Sequence, residues 1–154
     1  MGRARSGLRA VRHLTWPQRR LALRALIALP VAHRLIRRRS FAVAEQWCAN
    51  TPLLRATNTI RLAPAEVGAA ARAAVAAVRP LGISCMPQAA VLRSLLCSAG
   101  FDAQIRFGVH RTADGLEAHA WVEVDGEPVN EPSDIAQRFP VLATASELSG
   151  AVLV

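Results

Sequence analysis

The stretch SCMPQAAVLRSLLCSAGFDAQIRFGVHRTADGLEAHAWVEVDGEPVNE, residues 84–131, carries most of the information about the fold. Its first part predicts a helix from Cys85 or Met86 to Ser98, ended by Gly100 in the left-handed conformation that helices often need just past their last turn. A buried stripe at helical spacing is formed by Ala89, Leu92, Leu95 and Leu96. After this helix the apolar period changes from 3.6 to 2, which indicates strands.

Two predicted strands, 103–109 and 118–124, alternate apolar and polar residues. The dipeptide Asp125-Gly126 is typical of a hairpin turn before a third strand. Upstream, residues 64–79 (PAEVGAAARAAVAAVR) predict a further helix, because proline suits its first turn and the alanines supply helix propensity. Helices followed by an antiparallel sheet define an α+β fold class.

Composition sets wider limits. The chain has 154 residues, 52% of them apolar, which suits one packed domain with an extension. It lacks the ~18 consecutive apolar residues of a membrane-spanning helix, and three scattered cysteines do not make a disulfide framework. A reducing cytosol is the expected location. Since no phosphate-binding loop, dinucleotide fingerprint or metal-ligand spacing occurs, we expect neither a cofactor nor a metal.

Charge divides the chain unevenly. All 19 basic residues are arginine; residues 1–44 hold eleven of them and no acid, whereas residues 80–154 hold four against nine acids. We therefore predict a basic helical extension over 1–50 and a mildly acidic domain over 51–154.

The extension contains two predicted helical segments. Residues 14–39 read as one or two helices that Pro30 kinks or divides, and residues 41–50 continue as a helix. Four interpretations remain open: a helix packed on the body or on a partner, which is favoured; a basic amphipathic helix on an anionic membrane or nucleic acid; a signal peptide; and a solvated tail.

Two residues are the main candidates for chemistry. Cys85 begins an apolar helix, whose free N–H groups and positive dipole end favour the nucleophilic thiolate. His119 lies in a predicted strand, where it could face Cys85 as a base. Each also has a structural interpretation, as an inert buried cysteine and as a hydrogen-bonded structural histidine.

A third group would orient the imidazole, and the hairpin offers two candidates. If Asp125-Gly126 forms a two-residue loop, Asn130 is expected on the His119 face. If the loop contains a bulge at Gly126, Glu131 shares that face instead. The sequence does not decide between them, and we favour Glu131.

The order of these landmarks resembles the transglutaminase-like cysteine protease domain of lasso peptide biosynthesis, in particular the stand-alone leader peptidases. The matching features are a cysteine opening a leucine-rich helix, Ala99-Gly100, Phe107-Gly108-Val109, His119-Ala120-Trp121-Val122-Glu123 and Gly126-x-Pro128-Val129-Asn130. The resemblance implies a papain-like core with Cys85 as nucleophile, His119 as base and an acid at Glu131. That family usually has aspartate at this last position, so Glu131 is a departure.

The resemblance also implies a function and partners. The expected activity is thiol proteolysis that removes the leader from a lasso precursor peptide during antibiotic-type peptide maturation. A separate small leader-binding protein would deliver the precursor, and a lasso cyclase would act next. We expect no nucleic-acid partner, with membrane contact by the extension less favoured. The alternatives are a generic transglutaminase-like peptidase or amide-transfer enzyme, and an inactive partner-binding scaffold.

The remaining candidates have structural interpretations. Trp121 is expected to pack in the core or the site wall, Cys97 to be a small core or boundary residue, and Cys48 to pack among the first helices. Solvent exposure is expected for His13, His33, His110, Asp134 and the hairpin acids Glu123, Asp125 and Glu127.

Overall fold

The computed structural model describes residues 13–55, 61–113 and 115–144, with the side chains of 143 and 144 left out. Its helices are α1 (Trp16–Arg38), α2 (Phe41–Asn50), α3 (Pro64–Ala77), α4 (Cys85–Ser98) and α5 (Ile135–Arg138). Its strands are β1 (Ala103–Thr112), β2 (Gly115–Val124), β3 (Glu127–Pro128) and β4 (Val141–Thr144). Two short 3-10 turns cover Pro52–Leu54 and Arg79–Leu81.

The four strands form one antiparallel sheet in the order β3-β2-β1-β4, and helix α4 packs against both central strands. The main core lies between α4 and the inner face of the sheet, where Leu92 and Leu96 meet Ile105 and Val122. Burial of these side chains removes apolar surface from water and holds α4 against β1 and β2. The predicted α+β fold, with the nucleophile helix packed on a small antiparallel sheet, is confirmed.

Helix α4 has the predicted length and end. Gly100 has a φ of 94°, its N–H bonds Cys97, and the N–H of Phe101 bonds the Leu96 carbonyl, which is the hydrogen-bond pattern of a Schellman motif. The four residues of the predicted stripe are at most 1% exposed. The sequence therefore places Cys85 in the first turn of a firmly packed helix.

The extension is packed on the body, as the favoured interpretation expected. One continuous α1 runs through Pro30, which lies inside the helix and does not divide it. Its small residues Ala25, Ala28 and Ala32 are fully buried in the main core, together with Cys48 of α2. The described part of the extension thus shares its core with the helices and sheet that follow, and the division at residue 50 stays a prediction.

The outer face of the sheet carries a second, smaller cluster. Trp121 of β2 is completely buried there against Ile135 and Phe139, which follow the third strand. None of the helices in the described ranges is both long and apolar enough to cross a lipid bilayer.

Candidate active site

The loop before α4 sets the position of Cys85. Gly82 ends the preceding 3-10 turn with a φ of 61°, a conformation that an L side chain disfavours. Ser84 is extended at the helix start, and Gln88 donates a side-chain hydrogen bond back to the Ile83 carbonyl at 2.8 Å. Cys85 is consequently the first helical residue, half-buried, where backbone N–H groups have no partner within the helix.

The edge of β2 receives the Cys85 side chain. The short β3 pairs only with Glu123 and Val124, so beside Ala120 the described structure has no strand on that edge. The thiol of Cys85 lies close enough to the His119 side chain and to the Ala120 backbone N–H for both to lower its pKa. The nucleophile helix and the histidine strand therefore meet at an open strand edge.

Two aromatic rings hold the His119 imidazole in place. Trp121 lies nearly parallel to it, at 18° and 6.4 Å between ring centroids, and Phe139 lies 5.2 Å away. His119 keeps 25% of its side chain exposed. Trp121 thus forms the site wall, as predicted, whereas Phe139 is a neighbour that sequence reasoning missed because it comes twenty residues later along the chain.

Glu131 contacts the His119 ring as well, through its carboxylate. Its Oε1 lies 2.9 Å from Nε2 of His119, which leaves Nδ1 as the ring nitrogen for the thiol. The structure therefore brings Cys85, His119 and Glu131 together in that order, and places Asn130 elsewhere.

The hairpin reaches this arrangement through the turn that the sequence prediction associated with Asn130. Val124 pairs with Glu127, so the loop has two residues, and both have positive φ: 53° for Asp125 and 80° for Gly126. This is the mirror-image turn favoured in tight hairpins. The prediction that such a turn would put Asn130 on the His119 face is wrong, because strand pairing stops before Asn130.

The polar groups after β3 show why pairing stops there. The N–H of Val129 still bonds the Val122 carbonyl at 2.9 Å, but the N–H of Val122 bonds Oδ1 of Asn130 at 3.1 Å instead of a backbone oxygen. The chain bends away from the strand, and Glu131 turns toward His119.

Helix α3 supports the bend from the other side. Nη1 of Arg72 donates to the Val129 carbonyl at 3.0 Å. A Cβ on Gly68 would lie 2.8 Å from both Cγ1 and the carbonyl oxygen of Val129, so only glycine permits this approach. Gly68 stands inside an alanine-rich helix, and this feature of the sequence could have indicated that another part of the backbone approaches α3 closely there.

The electrostatics favour an ion pair between thiolate and imidazolium. Burial raises the pKa of the Cys85 thiol, but the hydrogen bonds from His119 and Ala120 outweigh it, and the net shift is downward from 9.0. Hydrogen bonds to Cys85 and to Glu131 raise the pKa of His119 from 6.5 to about 9, against the opposing effect of partial burial. Both shifts favour a thiolate at Cys85 beside a protonated imidazole at His119.

A cleft of about 640 Å³ opens beside Glu131, between α3 and the residues that flank Cys85 in the sequence. Ile83 and Gln88 line it on the α4 side, and Arg72 and Arg79 line it on the α3 side. The cavity adjoins the site through Glu131, whereas Cys85 and His119 do not line it, and it is large enough for several side chains.

The other cysteines differ from Cys85. Cys48 is buried, as predicted, and burial followed by the nearby Glu45 carboxylate raises the pKa of its thiol to about 12. Cys97 is exposed, which corrects its prediction as a core or boundary residue: it lies on the outer side of the last turn of α4. Neither is near His119.

Glu123 also departs from its prediction. It is 8% exposed rather than solvated, since its two oxygens accept hydrogen bonds from Arg106 at 2.8 Å and from the Trp121 indole at 2.9 Å. The prediction of a solvated hairpin edge did not anticipate that Ile135 of α5 and Phe139 pack against Trp121, whose indole bonds Glu123. Exposure is as predicted for His13, His110, Asp134, Asp125 and Glu127, while His33 is half-buried.

No group of three or more His, Cys, Asp and Glu side chains in the described ranges is arranged to hold a metal ion.

A helix-borne thiol, a strand-borne imidazole and a carboxylate on one α+β scaffold define the class of papain-like and transglutaminase-like proteins. The family model described as Transglut_core3, transglutaminase-like superfamily, matches residues 25–144, and the chain belongs to that superfamily. Its members are commonly cysteine peptidases or transferases. No curated protein and no solved structure gave a significant match.

Proposed function

We propose that this chain is a cysteine protease that removes the leader from a lasso precursor peptide. The observation that carries the proposal is the 2.9 Å hydrogen bond between His119 and Glu131, beside a Cys85 thiol whose pKa His119 lowers. The particular substrate is supported by the resemblance of residues 84–131 to lasso leader peptidases. Membership of the transglutaminase-like superfamily supports thiol acyl chemistry in general.

The reaction uses the protonation states that the site favours. The Cys85 thiolate attacks the scissile carbonyl carbon and forms a tetrahedral intermediate, whose oxyanion is stabilised by backbone N–H groups at the start of α4. His119, protonated at Nδ1, gives that proton to the leaving amine as the C–N bond breaks. Water then attacks the thioester carbonyl carbon and gives a proton to His119. The C–S bond breaks, the leader leaves with a free carboxyl end, and the pair of Cys85 thiolate and protonated His119 is restored.

Glu131 supports this cycle without entering it covalently. A carboxylate beside Nε2 favours the imidazolium form and fixes which ring nitrogen faces the sulfur. Trp121 and Phe139 restrict rotation of the same ring. His119 is thus held in one orientation by a polar contact and two aromatic contacts.

The proposal includes a separate leader-binding protein that delivers the precursor, and α1 offers a surface for it. The outward side of α1 exposes Trp16, Leu23 and Ile27 in one stripe, with Arg20 and Arg34 on the same side. Apolar side chains bordered by arginines suit a protein partner with an acidic rim. A lasso cyclase that receives the freed amine is the other candidate for this surface.

Replacement of the nucleophile tests the proposed reaction. Cys85→Ala is expected to abolish leader release by the complete system of precursor, leader-binding protein and this chain, because no other thiol in the described ranges lies near His119. The products are measured by mass spectrometry, which also distinguishes hydrolysis from transfer to an added amine.

Cys97→Ala is the matched control. It removes an exposed thiol of the same helix and is expected to keep most of the activity. Undiminished release by Cys85→Ala would exclude the thiol mechanism. A wild-type chain that binds precursor but never changes its mass would instead favour an inactive scaffold.

A further inference from the structure

The cleft beside Glu131 has an uneven distribution of charge. On its α3 side, Arg72, Val75 and Ala76 lie on one helix face, and Arg79 follows in the 3-10 turn after α3. Valine and alanine provide an apolar floor between two guanidinium groups. The one carboxylate in the lining is Glu131, and it is already paired with His119.

The two arginines have different partners. Arg72 donates to the Val129 carbonyl and thereby holds the bend that carries Glu131. Arg79 is exposed, and no ion pair or hydrogen bond of its side chain occurs within the described parts of the chain. Its guanidinium is therefore available to a ligand in the cleft, and the donors that Arg72 does not use add to the positive potential.

The dimensions fit a peptide. Arg72 and Arg79 are seven residues apart along α3 and the turn that follows it, which places their Cα atoms about 10 Å from each other at 1.5 Å per residue. An extended peptide of about three residues covers that distance at 3.3 Å per residue. The cleft also lies beside the start of α4, since Ile83 precedes Cys85 by two residues and Gln88 follows it by one turn.

We propose that this cleft is a substrate subsite that binds an extended segment next to the scissile bond and selects an acidic side chain through Arg79. The proposal rests on the proposed function, because it assumes that Cys85 reacts with a peptide. Apolar side chains of the segment contact Val75 and Ala76, while the carboxylate meets the guanidinium. Specificity for charge would then come from α3 and its following turn, and the reaction itself from α4 and β2.

The test uses peptide electrophiles that react with Cys85. A set of epoxysuccinyl peptides carries a single glutamate at successive positions on either side of the epoxide, in an otherwise alanine and leucine sequence, and each has a glutamine twin. The rate of covalent labelling is measured by intact mass, and the result is the Glu/Gln rate ratio. Because each ratio is taken on one protein, differences in thiol reactivity between variants cancel.

We expect a ratio of roughly two to five at one position or two adjacent positions in the wild type, the upper part of the range for an exposed ion pair. Arg79→Gln is expected to bring that ratio to about one. The matched control Arg111→Gln, an exposed arginine on β1 outside the cleft, is expected to keep the wild-type ratio.

Two other outcomes distinguish failure of the proposed subsite from failure of the proposed protease function. A ratio near one at every position, with Cys85 still alkylated by iodoacetamide, would overturn the subsite and leave the thiol chemistry standing. The subsite is likewise overturned if Arg79→Gln and Arg111→Gln change the ratio equally. Failure of iodoacetamide to label Cys85 would overturn the proposed function and the subsite with it.

Discussion

Glu131 reaches His119 through a single hydrogen bond of 2.9 Å, and its role there is electrostatic as well as orienting. The carboxylate stabilises the charge that the imidazole carries next to the thiolate. An amide of the same size can hold the ring but cannot supply that charge. The two roles can therefore be separated by conservative substitutions at position 131.

Glu131→Gln is expected to lower kcat by roughly 10- to 1000-fold, by comparison with the loss of an orienting acid in other triads. Glu131→Asp should keep much of the activity, since it restores the carboxylate usual in the resembled family. Steady-state cleavage of the precursor measures both variants. A rate for Glu131→Gln close to that of the wild type would remove Glu131 from the mechanism.

Asn130 is the control residue for that experiment. Its Oδ1 accepts the Val122 N–H and so acts on Glu131 only through the bend. Asn130→Asp keeps an acceptor oxygen and should retain more activity than Asn130→Ala. If Asn130→Ala were the more damaging change and Glu131→Gln harmless, Asn130 would be the group that orients the imidazole.

For the helices and strands, the sequence predicted that an element is present better than it predicted the residue at which the element ends. The bounds of α4 could be predicted because an apolar stripe, a terminating glycine and a preceding turn all agree. The end of the β2–β3 pairing could not, since it depends on competition for hydrogen bonds between the Asn130 side chain and the backbone. The alternation of faces holds only while strands remain paired, and Glu131 lies beyond that point.

The contact between α3 and the bend gives a prediction for that element. Gly68→Ala should raise helix propensity by about 1 kcal/mol in isolation, yet its methyl group would lie 2.8 Å from the Val129 carbonyl. The bend must shift, so we expect at least a roughly tenfold loss of kcat while the protein stays folded by circular dichroism. Adding Val129→Ala removes the clash with Cγ1 and should restore part of the activity.

Ala65→Ser, at an exposed position of α3, is the control for a general effect of altering this helix. It should leave kcat within about twofold of the wild type. Unchanged kcat for Gly68→Ala would mean that the bend tolerates displacement, and would weaken the link between α3 and Glu131.

Across the molecule, the helices of the basic extension are part of the scaffold that positions the active site. Glu45 of α2 pairs with Arg93 of α4 at 3.1 Å, and Ser94 donates to the Cys48 carbonyl at 2.6 Å. These contacts anchor the nucleophile helix on the side away from the sheet. The sequence favoured packing of this extension on the body or on a partner, but the charge pattern did not indicate that the buried alanines of α1 would make the contact.

The protonation of the active site depends on all of these contacts together, because they hold Cys85 against His119 as a thiolate. The rate of iodoacetamide alkylation at Cys85 as a function of pH, followed by peptide mapping, measures that state. We predict a half-maximal rate clearly below the ordinary thiol pKa of 9.0. In His119→Gln the midpoint should rise, because the hydrogen bond and the charge of His119 no longer oppose burial and only the backbone contacts still do. A wild-type midpoint at or above that of a free cysteine peptide would contradict a thiolate held by His119.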